Sequence, residues 1–400
     1  MRIAVLKFGG SSVANPEKIM RVAEKVVATK KKGYDVVVVV SAMGDTTDNL
    51  LSLARSINPN PHRRELDMLL SVGERISMSL LSMAIGRLGY DSISLTGSQS
   101  GIITNDSHNN ARIIEIRPFR IQDELEKGKI VIVAGYQGVS YRKEITTLGR
   151  GGSDTTAVAL AAALDAEYCE IYSDVDGVYS ADPKVVDKAE RIDHISYQSM
   201  QEYAEAGARV LNSQAVEFAK KKGIAIYCKS TFSDGGGTIV DKFLSQKSNN
   251  IIGVTYEEKI ILLQKRFDSY KEVQVLFEIL DAYKIVGKQI RFERDNSGYF
   301  LSLAFSDENI HDFGNFKTLI SERFGNSVVI REDTGTVSLI GDGINHDYSN
   351  MRNVLDILNF NRVELIGVTT SSFRISAIIP SYQVKDTVRA LHKFFIEERK

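Results

Sequence analysis

The first apolar run of the sequence ends in a lysine followed by two glycines and two serines, KFGGSS. Glycines where a strand runs into a helix let the backbone approach a phosphate closely, and the free amides of the helix point at the anion. Lys7 adds a positive charge there. The spacing is neither that of a Walker loop nor the GxGxxG of a dinucleotide fold. The stretch indicates a phosphate site, although a tight turn with a solvated lysine also accounts for it.

A second glycine-rich stretch, TTLGRGGSDTTA, precedes an alanine-rich helical pattern. Arg150 can hold a carboxylate or a phosphate through two parallel hydrogen bonds, and Gly151, Gly152 and Ser153 place backbone amides beside it. Asp154 falls in the first helical turn, where the helix dipole stabilises an anion. A plain helix cap explains Ser153 and Asp154 but gives Arg150 no role. We interpret the stretch as a second anion site.

Polar residues also gather where a third apolar run ends, in IYSDVDGVYSADPK. Ligands bind α/β proteins beyond the carboxyl ends of parallel strands, so this segment is a candidate binding site. Asp174 and Asp176 together could hold a metal ion. An aspartate before a glycine is also typical of an Asx turn, and we favour the turn.

The composition is that of a globular chain with room for two or three domains, since 43% of its 400 residues are hydrophobic and 25% are charged. A formal net charge of -1 provides no basic excess for nucleic acid or an anionic membrane. Cys169 and Cys228 match no disulfide framework or zinc spacing, and we interpret both as packed thiols. We recognise no signal peptide and no apolar run long enough to span a bilayer, and therefore expect a cytoplasmic protein.

Apolar runs of strand and helix type alternate around the candidate sites. Asn15 and Pro16 are a good cap and first turn for a helix. Strands are predicted at 3–6, 36–40, 130–134, 168–172 and 224–228, and helices at 153–164 and 209–222. The alternation predicts a doubly wound, mainly parallel α/β sheet in a domain covering residues 1–235.

The pattern changes after a predicted linker at 236–254, which is rich in glycine, serine and asparagine. Residues 255–333 and 334–400 then repeat the same order of strands and helices. This order predicts two consecutive ferredoxin-like βαββαβ modules.

Taken together, these segments resemble the aspartate kinases (aspartokinases) of the amino acid kinase family. The resemblance is close over the first 235 residues and continues more weakly through a tandem pair of ACT-type regulatory modules. It implies an ATP-dependent enzyme that phosphorylates the β-carboxylate of L-aspartate, the first step toward lysine, threonine, methionine and diaminopimelate. The matching motifs are KFGGSS at 7–12, SAMGDTTD at 41–48, GERIS at 73–77, TGSQSGIIT at 96–104, AGYQGV at 134–139, TTLGRGGSDTTA at 146–157 and IYSDVDGVYSADPK at 171–184.

The resemblance also implies roles for individual residues. Lys7 and Asp154 would be catalytic, with Asp154 orienting Lys7. The residues that bind aspartate would be Ser11, Thr47, Glu74, Arg150, Gly151, Gly152 and Ser153. The residues on the ATP side would be Lys7, Phe8, Gly9, Gly10, Ser41, Ser173, Asp174, Tyr179, Ser180, Lys184 and Arg209. Mg²⁺ would arrive with ATP and keep mostly phosphate and water ligands, so no separate metal site is expected in the protein.

Within the substrate set, Arg150 would bind the α-carboxylate of aspartate and Glu74 its ammonium. Without the resemblance, Glu74 in SVGERIS would be interpreted as a solvated helix residue.

The chain departs from the family pattern in three places. Asn212 and Ser213 in GARVLNSQ stand where many relatives have His-Pro. FDSYKEV at 267–273 and INHDYSN at 344–350 lack the Pro-Gly that usually accompanies an effector site. We therefore expect weak or absent inhibition by lysine and threonine. The identity of any amino-acid effector at the ACT interfaces stays open, and a homo-oligomer through the ACT modules is expected by resemblance.

Three rival functions differ in what they require of the sequence. A kinase of glutamate or another small acid is the nearest rival, and Glu74 together with the ACT pair argues against it. A non-catalytic amino-acid sensor has no need of Lys7, Arg150 and Asp154 together. A dinucleotide-dependent oxidoreductase is disfavoured because GxGxxG is missing.

Overall fold

The computed structural model describes residues 2–149, 151–208, 210–233, 235–242, 250–296, 298–306 and 313–398. The chain divides into two compact units. The first unit comprises Met1–Val178, Arg191–Ala204 and Arg209–Leu244, and the second comprises Tyr179–Glu190, Glu205–Ala208 and Ser245–Lys400.

Strands and helices follow one another along the described parts of the chain, in places several of one kind in succession. The strands are β1 (Ile3–Phe8), β2 (Asp35–Val40), β3 (Ser92–Leu95), β4 (Ile102–Thr104), β5 (Ile113–Ile116), β6 (Ile130–Ala134), β7 (Gln137–Ser140), β8 (Ile145–Thr147), β9 (Tyr168–Ser173), β10 (Val178–Tyr179), β11 (Arg191–Ile192), β12 (His194–Ser196), β13 (Ile226–Ser230), β14 (Thr238–Asp241), β15 (Asn250–Phe267), β16 (Gln289–Asp295), β17 (Gly298–Ser306), β18 (Val329–Asp342), β19 (Gly367–Thr370) and β20 (Arg374–Pro380). The α-helices are α1 (Pro16–Lys31), α2 (Thr46–Ile57), α3 (Arg63–Leu70), α4 (Val72–Arg87), α5 (Phe119–Glu126), α6 (Gly152–Ala163), α7 (Tyr197–Glu205), α8 (Ser213–Lys222), α9 (Tyr270–Ala282), α10 (Phe313–Phe324), α11 (Ser349–Phe360) and α12 (Val384–His392).

The first unit is built on an eight-stranded sheet in the order β12-β14-β13-β9-β1-β2-β6-β3. The central strand β1 runs parallel to both of its neighbours, β2 and β9. Its six residues are all buried, as expected for a continuous apolar run covered on both faces. The prediction of a mainly parallel sheet is confirmed. A smaller sheet in the order β5-β4-β7-β8 lies in the same unit.

Two helices of the first unit show how the sequence sets their limits. Asn15 caps α1 by accepting a hydrogen bond from the backbone N of Lys18 at 2.9 Å, as its cap signal predicts. The helix predicted at 209–222 begins only at Ser213, because the side chain of Asn212 caps it by accepting from the Gln214 N at 2.8 Å.

The second unit is organised around one six-stranded antiparallel sheet in the order β16-β17-β15-β18-β20-β19. Its two long strands, β15 and β18, are shared by two ferredoxin-like modules. The C-terminal half of β15 pairs with β17 and with the beginning of β18. The N-terminal half of β15 pairs with the end of β18, so it completes the second module.

The module boundaries therefore differ from those expected from the sequence. The expected linker at 236–254 contains β14, which pairs in the large sheet, and the first residues of β15. The expected boundary between 333 and 334 falls inside β18. The boundary was expected there because polar residues interrupt β18, and a long strand with such an interruption has the sequence pattern of two short strands. The segment Tyr179–Glu190, expected within the catalytic domain, belongs to the second unit.

Two further expectations concern the cysteines and apolar helices. Both Cys169 and Cys228 are free and buried, and burial raises the pKa of each thiol. The helical stretch Arg63–Arg87 is long and apolar enough to cross a membrane by length and composition, which differs from the expectation that no such run exists. Half of its apolar window is buried, and because core helices of other proteins pass the same test, this is weak evidence for a span.

Candidate active site

A buried ion pair lies at the carboxyl end of the central strand. Lys7 is the last but one residue of β1, and its Nζ atom lies 2.6 Å from the Oδ1 atom of Asp154 in the first turn of α6. The two side chains are only 11% and 10% exposed. The structure therefore brings together the two glycine-rich stretches that the sequence singled out.

The glycines after Lys7 allow the backbone of this loop to approach two other segments. The Gly9 N donates to the Tyr172 O at 3.1 Å, and the Gly10 O accepts from the Gly44 N at 3.0 Å. A Cβ atom on Gly10 would lie 2.7 Å from the Ala42 O, so only glycine fits. A Cβ atom on Gly9 would lie 3.5 Å from the Nζ atom of Lys7, an ordinary contact distance, so Gly9 lies directly beside the amino group.

Phe8 and Ser41 connect this loop to the core of the first unit. The Phe8 side chain is fully buried and stacks on the Tyr172 ring with a centroid distance of 4.8 Å. The Ser41 N donates to the Phe8 O, and the Ser41 O accepts from the Ser77 hydroxyl at 2.7 Å. The side chain of Phe8 thus belongs to the core. Only its backbone could contact a nucleotide, and that role stays a prediction.

Glu74 is buried, contrary to the interpretation of a solvated helix residue. Its side chain lies in the first turn of α4, and the residue is 3% exposed. The Oε1 atom accepts from the Ala42 N at 3.1 Å, and the Oε2 atom is buried without a hydrogen-bond partner among the described residues. Burial raises the pKa of Glu74 to about 7. A buried carboxylate with one free oxygen is suited to binding a cation such as an ammonium group.

The N-terminus of α6 is packed too tightly for side chains at its glycines. Gly151 has φ 68, and a Cβ atom there would lie 2.6 Å from the Cβ of Asn212. A Cβ atom on Gly152 would lie 2.8 Å from the Cβ of Leu148. Ser153 is buried. Arg150, predicted to bind the α-carboxylate of aspartate, lies outside the described residues.

Ser11 and Thr47 are half-buried, so both remain accessible to a ligand. The Ser11 carbonyl accepts from the Nζ atom of Lys18 at 3.0 Å. Thr47 lies in the first turn of α2, just beyond the loop at 41–44 that contacts Gly10 and Glu74. Their predicted contacts with aspartate stay predictions.

The segment after β9 contains a turn stabilised by an ion pair. The Ser173 hydroxyl bonds to both backbone groups of Val175, and Asp174 is exposed. The Oδ2 atom of Asp176 lies 3.2 Å from the Nη1 atom of Arg191. Across the described parts of the chain, no group of three His, Cys, Asp or Glu could hold a metal ion. The hydrogen bonds of Ser173 and the ion pair of Asp176 are what support the turn interpretation of the paired aspartates.

The remaining residues predicted on the ATP side belong to the second unit or are not described. Tyr179 is half-buried and Lys184 is exposed. The Ser180 hydroxyl is buried, where it bonds to the Nε2 atom of His392 and accepts from the Glu190 N, both at 2.9 Å. Ser180 therefore has a structural role in the second unit, and its nucleotide role stays a prediction. Arg209 lies outside the described residues.

A further buried carboxylate of the first unit, that of Asp67, was not predicted from the sequence. Asp67 in α3 is fully buried and accepts hydrogen bonds from the Thr147 hydroxyl, the His108 ring and the Asn109 N. Burial raises the pKa of Asp67, and these hydrogen bonds oppose the shift. The available signal was an aspartate between Leu66 and Leu70 on the apolar side of the helix.

Residues 2–230 match the model of the amino acid kinase family. A parallel α/β sheet with a buried lysine and aspartate beside a glycine-rich loop is consistent with a kinase of this class. The match covers the whole eight-stranded sheet except its strand β14.

Comparison with curated relatives identifies the kind of amino acid kinase more closely. The chain is 42% identical to the aspartokinase of Mycolicibacterium smegmatis and 40% identical to that of Corynebacterium glutamicum, in each case over 99% of this chain and 96% of the relative. The chain belongs to the amino acid kinase family and, within it, to the aspartokinases. Its activity is accordingly the phosphorylation of aspartate.

Solved structures share the fold. The chain aligns with E. coli aspartokinase III, in complex with aspartate and ADP, at a TM-score of 0.86 and 24% identity, covering 98% of this chain and 99% of that one. It aligns with the aspartate kinase from Synechocystis at a TM-score of 0.56 and 32% identity, covering 98% of this chain and 69% of that one.

Proposed function

We propose that the chain transfers the γ-phosphoryl group of ATP to the β-carboxylate of L-aspartate at the site around Lys7, Asp154 and Glu74. The product, 4-phospho-L-aspartate, would supply the synthesis of lysine, threonine, methionine and diaminopimelate. The observation that carries this assignment is the buried pair of Lys7 and Asp154 beside the glycine loop that follows Lys7, because glycines at such a turn let the backbone approach a phosphate closely.

On the ATP side, Lys7 neutralises the charge of the β- and γ-phosphates. Phosphoryl transfer requires little covalent chemistry from the protein, so positioning and electrostatic stabilisation carry the rate. Asp154 holds the amino group of Lys7 in place. Asp154 is not needed as a base, because a carboxylate acceptor with an ordinary pKa of about 4 is already ionised near neutral pH.

On the aspartate side, the substrate is held at the two charged groups of its α-carbon. The unpartnered oxygen of Glu74 binds the ammonium. Arg150 binds the α-carboxylate bidentately. The amides of Gly151, Gly152 and Ser153, at the positive end of α6, favour an anion beside them.

Mg²⁺ is proposed to reach the site bound to ATP. A small cation that keeps its phosphate and water ligands needs few protein ligands. It would neutralise part of the charge on the β- and γ-phosphates. The protein residues that face this charge are Lys7 and the glycine loop after it.

The second unit is proposed to serve assembly and control in a cytoplasmic homo-oligomer. Its sheet ends in β16 and β19, which each have one unpaired edge in the order of the sheet. Such edges pair readily with another chain. An amino-acid effector would bind where the ACT-type modules of two chains meet.

An assay of ADP release with L-aspartate, and with L-glutamate as the control substrate, tests this function. We expect turnover with aspartate and little with glutamate. Arg150→Lys should raise the KM for aspartate although it keeps the charge, because an ammonium cannot reproduce a bidentate guanidinium. Direct titration of the Arg150→Lys variant with ATP should give nearly the same affinity as the wild-type protein. If ATP affinity collapses while the aspartate kinetics survive, the two halves of the site are assigned the wrong way round.

A further inference from the structure

Asp67 is a fully buried carboxylate that joins three segments of the first unit. Its Oδ1 atom accepts from the hydroxyl of Thr147 at 2.5 Å, and its Oδ2 atom lies 2.6 Å from the Nδ1 of His108. The backbone N of Asn109 donates to the same carboxylate at 3.1 Å. Helix α3 is thereby tied both to the end of β8 and to the loop between β4 and β5.

The segment held by this carboxylate leads directly into the predicted site for the substrate α-carboxylate. Thr147 is the last residue of β8, and α6 begins at Gly152. The Thr147 O also accepts from the Ala111 N at 2.8 Å. Gly149 has φ 76, and a Cβ atom there would lie 3.1 Å from the Oδ1 atom of Asn110. The loop between β4 and β5 thus packs along the chain that enters α6.

The other end of the network leads to the residue proposed to bind the substrate ammonium. Helix α3, which carries Asp67, is followed by Ser71 and then by α4, which carries Glu74 in its first turn. The Ser71 O accepts from the Nε2 atom of Gln137 at 2.9 Å. Helix α3 therefore continues along the chain into the helix that carries Glu74, and its Asp67 bonds to the strand end that leads to Gly151.

We propose that Asp67, His108 and Thr147 are positioning residues that set the distance between Glu74 and the N-terminus of α6, the two parts of the site that hold aspartate. The inference rests on the proposed function, because it assumes that Glu74 and the 151–153 segment hold the substrate. A buried carboxylate is stable only when its oxygens are hydrogen-bonded, so the three donors define one position for the strand end. Displacement of a positioned group by about 1 Å can lower the rate on the order of 100-fold.

Substitutions at two neighbouring threonines separate positioning from stability. Thr147→Val removes the hydroxyl at nearly constant volume, and Thr147→Ser retains it. Thr146→Val is the matched control, because Thr146 is also fully buried but bonds to the Thr104 hydroxyl at 2.5 Å instead of to Asp67. Both valine variants should lose thermal stability.

Only Thr147→Val should change substrate binding selectively. We expect it to raise the KM for aspartate roughly tenfold, the scale of one buried group left without its partner, with the KM for ATP within about twofold of wild type. Thr147→Ser should restore the KM for aspartate to within about twofold of wild type. His108→Gln, at a side chain that is 18% exposed, provides a second variant in which the same increase is expected if Thr147→Val does not fold.

Glu74→Gln, measured in parallel, distinguishes failure of this inference from failure of the proposed function. If Glu74→Gln raises the KM for aspartate while Thr147→Val and His108→Gln do not, the positioning network is wrong and the substrate assignment stands. If none of these variants changes that KM, both are wrong. Equal increases in the two KM values, or the same increase in Thr146→Val, would show a purely structural role and also overturn the inference.

Discussion

The Nζ atom of Lys7 and the Oδ1 atom of Asp154 lie 2.6 Å apart, with both side chains about nine-tenths buried. Lys7 belongs to the central strand and Asp154 to the first turn of a helix, so two separate elements fix the amino group. The positive charge is thus in place before a nucleotide binds, which is the condition for electrostatic stabilisation without reorganisation.

Lys7→Ala should lower kcat by roughly 10²- to 10³-fold, the scale for losing one preorganised electrostatic contact. The KM for aspartate should change less, because Lys7 acts on the phosphates. Steady-state kinetics on a variant shown by circular dichroism to be folded provide the measurement. Turnover within about threefold of wild type would falsify the role of Lys7.

Aspartate binding should weaken as the pH falls below about 7, because burial raises the pKa of Glu74 to about 7 and only the ionised form attracts an ammonium. Binding should release protons from Glu74. In Glu74→Gln the KM for aspartate should be higher and nearly independent of pH from about 6 to 8. A wild-type KM that is constant over this range would contradict the assignment.

The same pKa predicts how Glu74 affects stability. The folded-state pKa is raised above the ordinary value of 4.5, so the stabilising contribution is fully present below about pH 4.5 and is lost as the pH rises through about 7. At pH 8, Glu74→Gln should therefore increase the free energy of unfolding by about 1–3 kcal/mol in the absence of substrate. Urea denaturation at about pH 5 and pH 8 measures this, and a gain that is larger at the lower pH would show the opposite sign.

Lysine and threonine should inhibit weakly or not at all. The Oδ1 atom of Asp347 accepts from the Ser349 N at 2.7 Å at the start of α11, and hydrogen bonds from Ser349 lower the pKa of this carboxyl. An anion thus occupies the amide that an effector carboxylate would use. Tyr348 and Tyr270, at the starts of α11 and α9, are exposed at 80% and 53% and add bulk there.

Assays with millimolar lysine, threonine, both together and diaminopimelate test this expectation. Half-inhibition by lysine or threonine below about 1 mM would contradict it. Inhibition by diaminopimelate alone would show that the effector site has changed its specificity.

His392→Ala should destabilise the second unit by about 2–4 kcal/mol, since it leaves a cavity and removes one of the two hydrogen bonds of the buried Ser180 hydroxyl. His392 is fully buried, with its Nε2 atom 2.9 Å from the Ser180 hydroxyl and its Nδ1 atom 3.1 Å from the Glu397 carboxylate. Lys393→Ala, at the neighbouring exposed side chain, is the control and should change stability little. Thermal denaturation of both variants provides the comparison, and equal melting temperatures would contradict the role of His392.

Features with a local signal could be predicted from the sequence. The β-branched runs predicted the central strands of the first unit, and Asn15 correctly marked the start of α1. The glycines of KFGGSS and TTLGRGGSDTTA indicated segments that the structure brings together through Lys7 and Asp154.

Features that depend on tertiary contacts had no comparable signal. Glu74 and Asp67 are charged residues buried by segments distant in sequence, and helix periodicity alone does not distinguish them from solvated carboxylates. The second unit shows the same limit in its strands. Residues 250–254 at the start of β15 fall within the predicted linker. Their pairing partner, the end of β18, lies a whole module further along the chain, so no local signal marks the pairing.

The sharing of β15 and β18 has a consequence for the order in which the chain can fold during synthesis. Asn250–Glu257 leaves the ribosome before any of the first module, yet its partner strand at Thr336–Asp342 follows all of it. Closing so long a loop is slow, and the unpaired strand is exposed to aggregation until its partner arrives. A fragment that begins at 334 would lack its fourth strand, so the second module should not fold when it is separated from the residues that precede the first.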